Sequence, residues 1–169
     1  MEIRKTTKED IPAMMVIVEN TRQYFKDLDI DQWQNGYPNE ELFLEDIKNE
    51  GSYVLTENGE IYGFCYIGFH DDPNYVLIED GAWLNNEPYG VIHRIAIRED
   101  LKGNAYASLF FQFAEQLAKE MNIHNIRVDT HEKNASMLKC IHKNGFVYCG
   151  IVYMEDHSPR VAYQKVLID

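Results

Sequence analysis

The run His93-Arg94-Ile95-Ala96-Ile97-Arg98-Glu99-Asp100-Leu101-Lys102-Gly103-Asn104-Ala105-Tyr106-Ala107-Ser108 changes period in its middle. An apolar strand pattern ends at Ile97, a charged turn follows, and small residues then open into a helical run over 109–121. This order sets free backbone N–H groups, at the positive end of a helix dipole, beside the end of a strand. Such a turn suits a phosphate or pyrophosphate without many side-chain charges. The Gly-x-Gly-x-x-Gly pattern and the Gly-Lys-Ser/Thr of nucleotide-binding loops are both missing at the required spacing.

Outward from this run, residues 2–6 read as a strand. Thr7 with Asp10 forms a capping pattern, with Pro12 in an early helical turn. A helix over about 9–25 follows, its apolar face carrying Ile11, Met14, Met15, Val18 and Tyr24. The acidic, aromatic segment 27–38 reads as a loop, and Asn39 caps a second helix over 40–49. Strands over 52–56 and 60–69 flank Asn58-Gly59, a hairpin signal. Residues 75–83 are ambiguous between strand and loop. Strands follow at 89–97 and 125–130. Asn134 caps a helix that ends at Asn144-Gly145. A hairpin of 146–154 and 160–167 closes the chain. The order β-α-α-β-β-β-α-β-α-β-β implies α/β (α+β) architecture: one mixed, largely antiparallel central sheet flanked by helices, in a single domain over 1–169.

The chain has 169 residues and a formal net charge of −12. The charge is unevenly placed: residues 1–90 carry 19 Asp/Glu against 6 Lys/Arg, and residues 91–169 carry 9 against 10. An acidic surface repels nucleic acid and attracts cationic partners. No apolar run approaches the roughly 20 residues that span a bilayer, so no membrane association is expected. The charged start resembles no export signal, and Cys65, Cys140 and Cys149 fit a reducing cytoplasm better than a disulfide framework. His70, His124, His131, His142 and His157 are too scattered for a metal site, and no metal is expected.

Two motifs carry a family resemblance. Lys102-Gly103-Asn104-Ala105-Tyr106-Ala107 falls in register with an Arg/Gln-x-x-Gly-x-Gly/Ala loop after a central strand. Asn134-Ala135-Ser136-Met137-Leu138, running to Lys143-Asn144-Gly145-Phe146, has the spacing of an Asn-initiated helix ending in Gly-Phe. In both, the chain resembles the GNAT superfamily of N-acetyltransferases that use acetyl-CoA. Lys102 replaces Arg/Gln, and Ala105 replaces the first motif Gly, which allows a less close approach.

The resemblance implies that pantetheine pairs with the strand at Ile95, Ala96 and Ile97, in the manner of an added strand. It implies that pyrophosphate rests on Lys102, Gly103, Asn104, Ala105, Tyr106 and Ala107, with the Ser108 hydroxyl adding a contact. The resemblance also implies that Asn134 reaches the pantetheine arm, in addition to capping its helix. His93 is the candidate base, two residues before Ile95 and so on the same strand face. The strand around it is similar to that of arylalkylamine N-acetyltransferases, in which the matching His serves in proton removal. Glu79 and Asp80, acting through water, are alternatives. Many relatives place a Tyr acid where this chain has Ile141, so no general acid carries over. The acceptor site falls on Asp27, Asp29, Asp31, Trp33, Tyr37 and Tyr153, where acids interleaved with aromatics suit a small amine or a basic peptide end. The competing reading of Trp33 and Tyr37 is that they pack down as anchors. The leading expectation is direct acetyl transfer to a primary amine with no acyl-enzyme. The alternative is a non-catalytic acyl-CoA-binding or sensor domain. By family analogy the chain forms a homodimer.

Overall fold

The computed structural model describes residues 1–168. In chain order the elements are β1 (Glu2–Lys5), α1 (Ile11–Asp27), α2 (Glu40–Lys48), β2 (Ser52–Glu57), β3 (Glu60–Gly68), β4 (Gly90–Ile97), α3 (Tyr106–Glu120), β5 (Asn125–Thr130), α4 (Ala135–Lys143), β6 (Val147–Tyr153) and β7 (Pro159–Val166). The seven strands are ordered β1-β2-β3-β4-β5-β7-β6 in a mostly antiparallel, mixed α/β sheet. The element order is the one the sequence predicts. By backbone proximity the chain divides into two compact units. One holds residues 1–67 and 93–110, and the other holds Gly68–Ile92 and the chain from Phe111 onward.

In the first unit the entry to α1 is set by polar chemistry. Asp10 accepts from the Thr7 backbone N–H (2.8 Å) and Thr7 Oγ1 (3.2 Å), and it pairs with Arg4 (2.8 Å). A 3-10 turn over Lys8–Asp10 leads into the helix, which starts at Ile11 rather than residue 9. Its buried residues, Ile11, Met14, Ile17, Val18, Thr21 and Phe25, recur at helical spacing. Met15 and Tyr24, expected on this face, are only partly buried against the core. Asn39 caps α2 by accepting from the Leu42 N–H (2.9 Å). β2 and β3 pair antiparallel through Val54↔Phe64. Their turn has positive φ at Asn58 (51°) and Gly59 (80°), as a tight two-residue hairpin requires. The core joins α1, Phe43 of α2, Val54, Phe64 and Ala96 of the strands, and Ile30 and Trp33 of the connecting loop.

In the second unit β5 pairs with β7 antiparallel over its whole length, and β6 pairs with β7. Gly90↔Ile126 and Val91↔Arg127 join β4 to β5 in parallel. Phe111 of α3 meets Phe146 edge-on at 5.4 Å. Segment 75–83 is not a strand. Trp83 Nε1 donates to the Tyr75 carbonyl (2.8 Å) and curls the segment back, and only Glu79 bridges to Ile151. β6 and β7 start about one residue from their predicted edges.

Candidate active site

The turn before α3 is built by backbone conformation. After a 3-10 turn over Glu99–Leu101, Gly103 (φ 86°) and Ala105 (φ 61°) both take the left-handed region. Nothing lies within 4 Å of where a Cβ on Gly103 would stand, so this position faces open space. The helix begins at Tyr106, three residues earlier than the sequence pattern suggests, so Tyr106, Ala107 and Ser108 form its first turn. An α-helix leaves its first N–H groups without intrahelical carbonyls, and these carry the positive end of the dipole. Residues 102–108 contain no acidic side chain. The donor set therefore fits a pyrophosphate.

The Lys102 ammonium sits 3.9 Å from the centroid of the Tyr24 ring, and burial lowers its pKa. Asn104 donates to the Leu101 carbonyl (3.0 Å), which closes the turn. Ser108 is buried, and its N–H donates to the Ala105 carbonyl (3.2 Å). Upstream, a Cβ on Gly63 would lie 2.7 Å from the Ala96 carbonyl. Only glycine lets β3 come this close to the strand proposed to hold the pantetheine, a role a lone Gly inside a strand pattern can signal. Ala96 is buried and takes part in the first unit's core, while Ile95 and Ile97 are half-buried.

His93 lies on β4, half-buried, with its ring stacked on Tyr66 at 6.2 Å and 11°. The next residue, Arg94, has φ 54° in the middle of the strand. This breaks the period-two alternation from which His93 and Ile95 were expected to share a face. The Arg94 guanidinium stands 4.6 Å from the same Tyr66 ring. It donates to both carboxylate oxygens of Asp46 (2.9 and 2.8 Å) and to the Tyr37 hydroxyl (3.1 Å). Burial pushes the Asp46 carboxyl up, opposed by Arg94. Burial works against the Arg94 charge too, but Tyr37 and Asp46 outweigh it and its pKa rises. Sequence reasoning missed Asp46, Tyr66 and Arg94. No motif marks them, because their meeting is tertiary.

The loop 28–38 mixes anchors with exposed polar groups. Asp29 (φ 55°) and Asp31 are exposed, and Tyr37 is 42% exposed. Trp33 is only 8% exposed. Its indole packs edge-on to Phe25 (5.6 Å) and parallel to Phe64 (6.4 Å). The ring packs into the core, and it pins the loop that carries the acids.

In the second unit Glu79 is exposed and accepts from the Tyr153 hydroxyl (3.0 Å), which raises the Tyr153 pKa. Asp80 follows with φ 56°. Asn134 caps α4, accepting from the Met137 N–H (3.3 Å) and the Ser136 hydroxyl (3.3 Å). Ile141 is a core residue, 1% exposed. Among the described residues no group of three His, Cys, Asp or Glu is arranged to hold a metal, and no helix is long and apolar enough to cross a membrane.

A mixed α/β fold with a small-residue turn opening a helix after its fourth strand is the architecture shared with acetyltransferases of known structure. The family model for GNAT acetyltransferases matches residues 18–146. A GNAT acetyltransferase from Streptococcus agalactiae 2603 is 32% identical, with a TM-score of 0.89, over 99% of this chain and 96% of that one. A GNAT acetyltransferase from Listeria monocytogenes 4b F2365, 23% identical over 98% and 94% of the two chains, shares the fold at a TM-score of 0.73. So does a Salmonella typhimurium structure holding acetyl-CoA as its cofactor, at 15% identity, 100% and 95% coverage and a TM-score of 0.69. No curated protein matches the chain. The chain belongs to the GNAT acetyltransferase family and is an N-acetyltransferase.

Proposed function

We propose that this enzyme transfers acetyl from acetyl-CoA directly to a primary amine of a small cationic molecule or a basic peptide end, with His93 as the base. The observation that carries the reading is the left-handed turn at Gly103 and Ala105 opening α3, at the position where the family resemblance expects a pyrophosphate loop. The residues proposed to hold acetyl-CoA are Ile95 to Ile97 along the strand, Lys102 to Ser108 at the turn, and Asn134. The family model runs continuously from residue 18 to residue 146, which supports treating the chain as one catalytic domain. Its three cysteines are free thiols, as a cytoplasmic enzyme's would be.

When bound, acetyl-CoA supplies a thioester carbonyl and a thiolate leaving group. The chain's own work is on the amine. An alkylamine with a pKa of about 10.4 is neutral in roughly one molecule in 2,500 at pH 7, a handicap of about 4.6 kcal/mol. Asp29, Asp31 and the face of Tyr37 gather the cation, and an imidazole suits taking up its proton. The N–H near Ile95 is the oxyanion donor that the family implies. With Ile141 buried in the core, no side chain is assigned to protonate the thiolate. Thiols of this type have pKa values near 8.5, so solvent suffices. Glu79, already accepting from Tyr153, is the alternative base.

Calorimetric titration with acetyl-CoA, followed by thiol release with 1,4-diaminobutane, spermidine and a lysine peptide, tests the reading. Micromolar binding, amine-dependent release and a loss of about 10²-fold or more in His93→Ala are expected. Binding without release from any amine would favour the sensor alternative. A folded protein that binds no acetyl-CoA would overturn the reading.

A further inference from the structure

Adjacent residues on a regular strand point to opposite faces. Here His93 and Arg94 both meet the ring of Tyr66, one by stacking and one through its guanidinium. The left-handed backbone of Arg94 makes this possible, and for a long side chain it is a strained choice. The strain is held by three bonds: two to Asp46 of α2 and one to Tyr37 of the acceptor loop. Asp46 is 4% exposed, and it is bonded to the guanidinium that stands over the same Tyr66 ring on which His93 stacks. A carboxylate beside a base favours the protonated imidazole, which is useless for accepting a proton.

We propose that Arg94 is a positioning residue of this site: it cancels the Asp46 charge beside His93, holds the His93 ring against Tyr66, and ties the acceptor loop to the catalytic strand through Tyr37. The inference rests on the reading of His93 as base. The charged and titratable groups around the pair include Asp46 and Glu45 of α2, Tyr66 and Cys65 of β3, Arg94 itself, and Tyr37 of the loop. Burial pushes the Cys65 thiol up, so it is neutral. Arg94 is a cation bonded directly to Asp46 through both carboxylate oxygens.

The test is an NMR titration of the His93 imidazole, assigned with His93→Ala, which needs no acceptor. In Arg94→Met the midpoint rises by about one pH unit or more, the effect of an uncompensated neighbouring carboxylate. In Asp46→Asn it falls by a similar amount. In the double variant, and in Arg94→Lys, it returns toward the parent. With 1,4-diaminobutane as acceptor, the acidic limb of kcat/KM in Arg94→Met moves upward by the same shift, while acetyl-CoA affinity holds. An unchanged His93 midpoint in folded Arg94→Met overturns the proposal. If that variant does not fold, an unchanged midpoint in Asp46→Asn does so. If His93→Ala keeps full thiol-release activity while the titrations shift as stated, the base reading fails and the electrostatic pairing stands.

Discussion

Gly103 and Ala105 offer paired substitutions whose effects should run in opposite directions. Both residues have positive φ, 86° and 61°. An L side chain in the left-handed region costs roughly 1–2 kcal/mol. Gly103→Ala brings in that strain, and no neighbour lies within 4 Å of the new methyl, so packing neither adds to it nor offsets it. A less flexible unfolded chain returns about 0.4–1 kcal/mol. The net loss is about 0–1.6 kcal/mol, a drop in Tm of up to roughly 6 °C for a chain of this size. Ala105→Gly reverses the same terms and should raise stability by up to about 1.6 kcal/mol. It also restores the residue that lets backbone approach a pyrophosphate closely, so acetyl-CoA should bind at least as tightly. Urea unfolding at constant m, with calorimetry for the ligand, measures both. The reasoning is refuted if Gly103→Ala is neutral or stabilising while Ala105→Gly destabilises, because then neither residue adopts the left-handed turn.

Two further outcomes follow from the first unit. Asp10→Asn removes a carboxylate whose pKa is held down by hydrogen bonds from Arg4 and Thr7. A depressed carboxylate stabilises above its unfolded pKa near 3.9, and that contribution disappears as pH falls through the lower folded value. The variant should therefore be less stable by about 1 kcal/mol at pH 7, with the gap to the parent closing below about pH 4; a gap that persists at pH 2 would exclude the ion-pair account. Trp33→Ala should cost about 3–5 kcal/mol in denaturant unfolding, because the ring lies between Phe25 and Phe64; a loss under 1 kcal/mol would mean that the indole is not in the core.

Much of the fold was legible because local chemistry and period agree along the chain. Asn39 and Asn134 cap the helices they precede, Asn58-Gly59 turns its hairpin, and β5 spans the residues its pattern predicts. The pattern falls short where tertiary contacts outweigh propensity. Segment 75–83 reads as ambiguous between strand and loop, and only the fold resolves it, with Trp83 turned back onto the Tyr75 carbonyl. α3 starts at Tyr106 because Ala105 takes a conformation its side chain does not favour, which no propensity scale foresees.

For the site, the sequence by itself determined the small-residue turn that opens α3, the His on the preceding strand and the family, because these depend on residues adjacent in the chain. Tertiary structure alone separated Trp33 from its neighbours in the acidic loop: periodicity does not distinguish a buried anchor from an exposed contact inside a turn-rich segment. It also assembled Tyr37, Asp46, Tyr66 and Arg94, drawn from a loop, a helix and two strands, around His93. Ion pairing and ring stacking depend on distance in space, and residues 48 and 57 positions apart carry no local signal that they will meet.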